Sequence, residues 1–158
     1  MNNLDSIDQC LRKAPLFSWM STDSIGWLAH YTEELSFAEG ETIYSRGSGS
    51  DALYLLVEGE VTFISGTSED PDEQTASTLE EGALFGELSL LENRMRESSA
   101  RAALPTRLYK IKADTIQDFA KKNQDQHAIL LTNLARELAR KIRNLNAKKS
   151  KGPTSIAA

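Results

Sequence analysis

Gly82-Ala83-Leu84-Phe85-Gly86-Glu87-Leu88-Ser89-Leu90-Leu91-Glu92-Asn93-Arg94-Met95-Arg96-Glu97-Ser98-Ser99-Ala100 is the stretch around which this chain is organised. Glycines bracket the apolar Ala83-Leu84-Phe85, an acid opens one helical turn, and arginines precede small residues. Gly86 allows the backbone to approach a ligand closely, and the turn that follows points N–H groups outward, where an anion can accept from them. Glu87 is placed to accept from hydroxyls, while Arg96 supplies a permanent, planar positive charge suited to phosphate oxygens. The order predicts an anion cradle. Glu97, beside that arginine, carries the wrong charge for it.

Outward from this stretch, composition sets the bounds. With 158 residues, 40% of them hydrophobic and 26% charged, the chain reads as one ordinary globular domain with a core of its own. No apolar run approaches the roughly 20 residues of a membrane helix. Met1-Asn2-Asn3-Leu4-Asp5 lacks a positive charge ahead of an apolar segment, so no signal peptide is expected and the expected location is cytoplasmic. Cys10 has no partner for an internal disulfide, and with only His30 and His127 beside it no metal site is expected. A net charge of -5 argues against nucleic acid as the main ligand. Half of the 18 basic residues nevertheless lie beyond position 120, among them Arg136, Arg140, Lys141, Arg143, Lys148 and Lys149. These read as a solvated helix face and cations near a helix C-terminus, with contact to nucleic acid or acidic lipid as the minority reading.

Periodicity supplies the elements. Leu4, Ile7, Cys10 and Leu11 form a narrow helical stripe that stops before Pro15, and Ser21 or Thr22 can cap a second helix through Ile25, Leu28 and Ala29. From Leu35 glycines punctuate short apolar runs, as strands require, and Glu58-Gly59-Glu60 reads as the clearest hairpin. The acidic, proline-interrupted segment 66–74 reads as an exposed loop leading to a strand at Thr75 to Leu79. Ser98 to Leu104 and Arg107 to Ile111 read as strands that close the roll. A helix from Ala113 or Asp114 to about Lys122 follows, then a longer one whose Ile129, Leu130, Leu131, Leu134, Leu138, Ile142 and Leu145 form a stripe. The predicted fold is α+β: a β-roll of the jelly-roll type, flanked by N-terminal helices, a C-terminal hinge helix and a long helix. In this reading residues 1–147 form one domain, with helices at 4–32, the roll at 35–112 and helices at 113–147; residues 148–158 form a disordered tail.

That order, with Ala38-Glu39-Gly40-Glu41-Thr42-Ile43, Asp51 to Val61, and Phe85 to Leu91 followed by Arg96, resembles the cyclic nucleotide-binding domain family, of the catabolite activator and protein kinase A regulatory-subunit type. The resemblance covers residues 12 to 147. It implies that the ligand is cyclic AMP or cyclic GMP, with no further cofactor, and that Phe85 to Leu91 and Arg96 form the phosphate-binding cassette. Gly86, Glu87 and Leu88 would meet the sugar-phosphate, with Glu87 accepting from the ribose 2'-hydroxyl and Arg96 pairing with the cyclic phosphate. The implied ligand-binding set is Phe85, Gly86, Glu87, Leu88, Ser89, Arg96, Glu97 and Ser98. Two positions depart from the family pattern: Met95 stands where proline is usual, and Glu97 where alanine, serine or threonine is usual. A carboxylate aimed at the phosphate from about 5 Å would oppose binding by roughly 3 kcal/mol, about a hundredfold in affinity. That cost vanishes if Glu97 turns to solvent or pairs with Arg94 or Arg101. Thr132, Asn133 and Arg136 are the candidates on the long helix for capping the base.

These residues lead to a sensor that passes ligand binding to an unidentified protein effector through its C-terminal helices. The alternative is a degenerate fold that serves as a protein-interaction scaffold, with Glu97 standing in the anion site. Direct DNA reading is not expected, because too little chain follows the long helix for a recognition domain. No membrane contact is expected either. Catalysis lacks an identifiable nucleophile and base. A homodimer through the long helix is compatible with the stripe at Leu131, Leu134 and Leu138, which drifts to Ile142 rather than keeping a strict heptad.

Overall fold

A computed structural model describes residues 2–66 and 75–150. Two N-terminal helices, α1 (Asn3–Lys13) and α2 (Thr22–His30), flank a 3-10 turn at Pro15–Phe17. Ser21 caps α2, its hydroxyl accepting from the Ser24 N–H at 3.2 Å. The roll then runs through β1 (Glu33–Phe37), β2 (Thr42–Tyr44), β3 (Ala52–Glu58), β4 (Val61–Ser65), β5 (Thr75–Leu79), β6 (Leu84–Phe85), α3 (Glu87–Glu92), β7 (Ser99–Ala102) and β8 (Thr106–Lys112). It ends in α4 (Ala113–Lys122) and α5 (Gln124–Ser150). The expected α+β roll with flanking helices is the observed fold.

The strands form two antiparallel four-stranded sheets, ordered β1-β8-β3-β6 and β2-β7-β4-β5. The central strands of the first sheet, β3 and β8, are covered on both faces. Leu53, Leu55, Tyr109 and Ile111 point to the helices and pack with Leu11, Phe17, Leu28, Phe119, Leu130 and Leu134. Ala52, Tyr54, Leu56 and Leu108 point the other way and meet Val61, Phe85 and Ala100 between the sheets. This double burial explains why β3 is an unbroken apolar run rather than an alternating one.

Glu58-Gly59-Glu60, expected as a hairpin, is instead a corner: β3 and β4 belong to different sheets and do not pair. A second crossing, between β7 and β8, packs against the first. Thr106, 4% exposed, ties the two together: its hydroxyl accepts from the Glu60 N–H at 3.3 Å and has the carbonyls of Leu104, at 2.7 Å, and Glu60, at 3.1 Å, as acceptors for its one proton. Gly59 sits at φ +98, and a Cβ there would fall 2.5 Å from the Pro105 carbonyl oxygen. Tight crossing of two corners, not hairpin geometry, is what selects glycine here.

Two further expectations change. Lys148–Ser150, assigned to the tail, form the last turn of α5, while 151–158 and most of the acidic loop, residues 67–74, lie outside the described residues. The stripe on α5 is also divided. Leu130 and Leu134 are buried against the N-terminal helices, whereas Leu131, Ile142 and Leu145 are 41%, 58% and 59% exposed. No helix among the described residues is long and apolar enough to cross a membrane.

Gly59→Ala should destabilise the protein by about 3 kcal/mol, combining the left-handed backbone cost with overpacking against fixed backbone. Gly40 also has positive φ, at +85, but open space around it, so Gly40→Ala should cost about 1 kcal/mol. Urea midpoints of the two variants check this; equal losses would remove the corner contact as the cause.

Candidate functional site

The site begins where the first sheet gives out. β6 pairs with only Tyr54 and Leu55 of β3 before Gly86 turns the chain, at φ +82, into α3. A Cβ on Gly86 would lie 2.8 Å from Arg96 Nη1, 3.0 Å from the Ala52 carbonyl oxygen and 3.2 Å from the Tyr54 ring. Conformation and space both demand glycine. The turn delivers Glu87, 3% exposed, and Phe85, 2% exposed, to the same end of the roll.

Arg96 enters from the opposite side. Its own backbone is clamped to the turn after β2, with its N–H donating to the Ser48 carbonyl at 2.9 Å and its carbonyl accepting from the Gly47 N–H at 2.8 Å. The side chain, only 2% exposed, donates to the carbonyls of Ala52 at 2.7 Å and Gly86 at 3.0 Å. Tyr44 lies over its guanidinium at 4.2 Å, and the Asp51 carboxylate stands 3.7 Å away. A buried guanidinium is costly unless so surrounded, and these partners hold its plane in one orientation. Burial pushes the Tyr44 phenol up to about 12, against the downward pull of Arg96, so the ring stays neutral.

Glu87 and Arg96 open into one cavity of about 530 Å³. Its apolar wall comes from Tyr44, Phe63, Leu79, Phe85 and Leu88; Ser65, Ser77, Thr78 and Ser98 supply hydroxyls. Phe85 stacks on Tyr54, ring centres 5.1 Å apart, and meets the edge of Phe63 at 5.5 Å, which fixes that wall. The open side is closed by α5 through Lys141, Asn144, Leu145 and Lys148. Lys141 donates to the Glu87 carboxylate at 2.6 Å and to the Leu84 carbonyl at 2.7 Å.

Of the expected set, Phe85, Gly86, Glu87, Leu88, Arg96, Glu97 and Ser98 all line this cavity. Ser89 falls in α3, and its side chain lies outside the described part of the structure. Glu97 stands at the rim with its side chain 78% exposed, and its carboxylate is 4.0 Å from Arg94 rather than on Arg96. Thr132, Asn133 and Arg136, expected as base caps, lie elsewhere. Asn133 is buried and donates to the carbonyls of Leu16 at 3.0 Å and Ser18 at 2.6 Å; Arg136 donates to its amide oxygen, and Thr132 to the Ala128 carbonyl. The helix meets the cavity about two turns later. The spacing 141, 144, 145 and 148 does mark one helical face, but three of those four positions, being charged or amide, read in sequence as solvent-facing. Among the described residues no group of three or more His, Cys, Asp and Glu could hold a metal.

A sequence model of the cyclic nucleotide-binding domain matches residues 34–123, more than half of the chain. A cAMP-activated global transcriptional regulator of Mycobacterium tuberculosis, described as CRP-like, is 27% identical over 139 residues, 88% of this chain. The chain spans 62% of that regulator's length. The regulatory subunit of cAMP-dependent protein kinase from Emericella nidulans is 31% identical over 105 residues, which is 66% of this chain and 24% of that protein. Among solved structures, a cyclic nucleotide-binding domain from Methylobacillus flagellatus superposes with a TM-score of 0.81 over 98% of this chain and 86% of its own, at 20% identity, a likeness of fold.

The Tyr44 phenol gives a pH test of the site's packing. A phenol that ordinarily titrates at 10.0 but is held protonated to about 12 contributes stability that is complete below pH 10 and lost as pH climbs through 12. In Tyr44→Phe the alkaline loss between pH 9 and 12 should be smaller by about 2 kcal/mol, read from urea midpoints at each pH. Parallel losses in the two proteins would show that Tyr44 does not titrate in this window.

Proposed function

The chain belongs to the cyclic nucleotide-binding domain family, and from that premise we propose that it is a working sensor of cyclic AMP or cyclic GMP. The observation that carries the reading is the joint placement of Glu87 and Arg96, both buried, on the wall of one cavity. A cyclic phosphate bears a single negative charge, which one guanidinium held in a fixed plane can offset. A carboxylate is a strong acceptor for the ribose 2'-hydroxyl. The wall of Phe63, Leu79, Phe85 and Leu88 suits the flat apolar faces of a purine. The hydroxyls of Ser65, Ser77 and Thr78 are at hand for its edge.

The scaffold alternative requires Glu97 to fill the anion site. Its exposure and its approach to Arg94 favour the sensor instead. In this reading the signal leaves through α4 and α5 to a protein effector, and the exposed Ile142 and Leu145 are the apolar surface available for that partner or for a second copy of the chain.

Calorimetric titration should show saturable binding of cyclic AMP or cyclic GMP at micromolar to high-micromolar ligand. Arg96→Ala should weaken it at least a hundredfold, since a buried phosphate would lose its counter-charge. Glu97→Ala should alter affinity by less than about threefold, as expected of an exposed charge. Heat absent for both nucleotides with the unaltered protein, but appearing in Glu97→Ala, would favour the scaffold reading.

A further inference from the structure

The position of Lys141 raises a question that the cassette alone does not. Its side chain, 32% exposed, reaches from α5 to Glu87, whose side chain is 5% exposed, and the two form an ion pair at 2.6 Å. The same ammonium donates to the Leu84 carbonyl, the last strand of the first sheet before the cassette. Among the described residues, these are the side-chain hydrogen bonds that run from the distal half of α5 to the roll. The remaining polar contacts of that half, Arg140 with Glu137 and Ser150 with Asn146 and Ala147, stay within the helix. The carboxylate assigned to the sugar is therefore also the anchor of the C-terminal helix.

We infer that Lys141 and the ribose 2'-hydroxyl compete for Glu87, so that the 2'-hydroxyl, rather than occupancy of the cavity as such, releases the distal half of α5. This rests on the sensor reading above. Glu87 is 3% exposed, and a carboxylate so little exposed is stable only while something donates to it. A hydroxyl placed there supplies that donor, and Lys141, with a flexible stem and a partly exposed head, can leave for solvent at modest cost. A nucleotide lacking the hydroxyl has its phosphate on Arg96 but offers Glu87 nothing, so the Lys141 pair persists. The contacts of Arg96 with Ala52, Gly86, Asp51 and Tyr44 lie within the roll. Lys141 thus acts as a positioning residue that ties helix release to one ligand group.

Cyclic AMP, cyclic GMP and their 2'-deoxy analogues, titrated into the full chain and into Lys141→Met and Lys141→Arg, test this. Lys141→Met should bind the ribonucleotide about tenfold more tightly, as expected for removal of one charged hydrogen bond that binding must break. Affinity for the 2'-deoxy analogue should be unchanged, and Lys141→Arg should stay near the unaltered protein for both. Hydrogen exchange of residues 137–148 should quicken on saturation with the ribonucleotide and not with the 2'-deoxy analogue. A loss of affinity for both ligands in Lys141→Met would make Lys141 a direct phosphate contact and overturn the inference. So would equal quickening of exchange by both ligands, or binding indifferent to residue 141. These failures leave the sensor reading standing, whereas no binding of any of these nucleotides to any of the three proteins sinks both.

Discussion

A guanidinium with 2% of its side chain exposed is the constraint from which much of this structure follows. Taking that charge from water is costly, and the chain offsets the cost with backbone carbonyls, a nearby carboxylate and an aromatic face. Each partner imposes a demand on another element. The carbonyl of Ala52 must be free at the start of β3, and that of Gly86 must turn inward after β6, which is why β6 ends at Phe85 and why residue 86 has no side chain. Asp51 is shared with Lys110 of β8 at 3.3 Å, so the arginine is held in a network that reaches across the first sheet. Tyr44 must lie flat over the group, and β2 is placed to do this by pairing with β7.

The two cores divide the work around that charge. Between the sheets, Val61, Phe85, Ala100 and Leu108 fill the roll and leave its far end hollow as the cavity. Behind the first sheet, the helices cover Leu53, Leu55, Tyr109 and Ile111. β3 and β8 thus lie between the two cores, and β3 carries the Ala52 carbonyl that Arg96 meets. Cys10, in the helical core, has its thiol pushed up by burial and has no part in this chemistry.

How much of this could be read from residues alone depends on the range of the interaction. Helices with sharp stops, such as α1 ending before Pro15, are local and legible. That Gly86, Glu87 and Arg96 meet at one cavity is legible too, because glycine, acid and arginine carry their reason in their chemistry. Glu58-Gly59-Glu60 was not: a corner between sheets and a hairpin use the same short glycine turn, and only the non-local contact with Thr106 tells them apart. Asn133 was misplaced for the same reason. A polar residue on a helix reads as solvated or ligand-facing, but its amide meets the carbonyls of Leu16 and Ser18, more than a hundred positions away. Glu97 turned on a side-chain direction that no spacing encodes.

Those two long-range facts together give α5 its mechanical character. Its proximal half is fixed: Asn133 is bonded to the 3-10 turn, Leu130 and Leu134 are buried, and Gln126 accepts from the Ser21 N–H at 2.7 Å. Eight residues beyond Asn133, about 12 Å along the axis, Lys141 meets the cassette. Past that point Ile142 and Leu145 are exposed. A helix anchored at one end and tethered by one ammonium near the other is built as the proposed release requires, with its fixed end in the core. Glu87, at the start of α3, and Arg96, in the loop before β7, are held by the roll itself, Arg96 through the carbonyls of Ala52 and Gly86 and through its backbone pairing with Gly47 and Ser48, so the proposed change of partner at Glu87 leaves those contacts in place. The displacement proposed above would fall on the distal segment of α5, which bears the exposed Ile142 and Leu145. For the sensor proposed above, a well-packed roll and a sparsely packed distal helix are complementary requirements: the first would keep the ligand groups in register, and the second would allow their occupancy to be read outside the cavity.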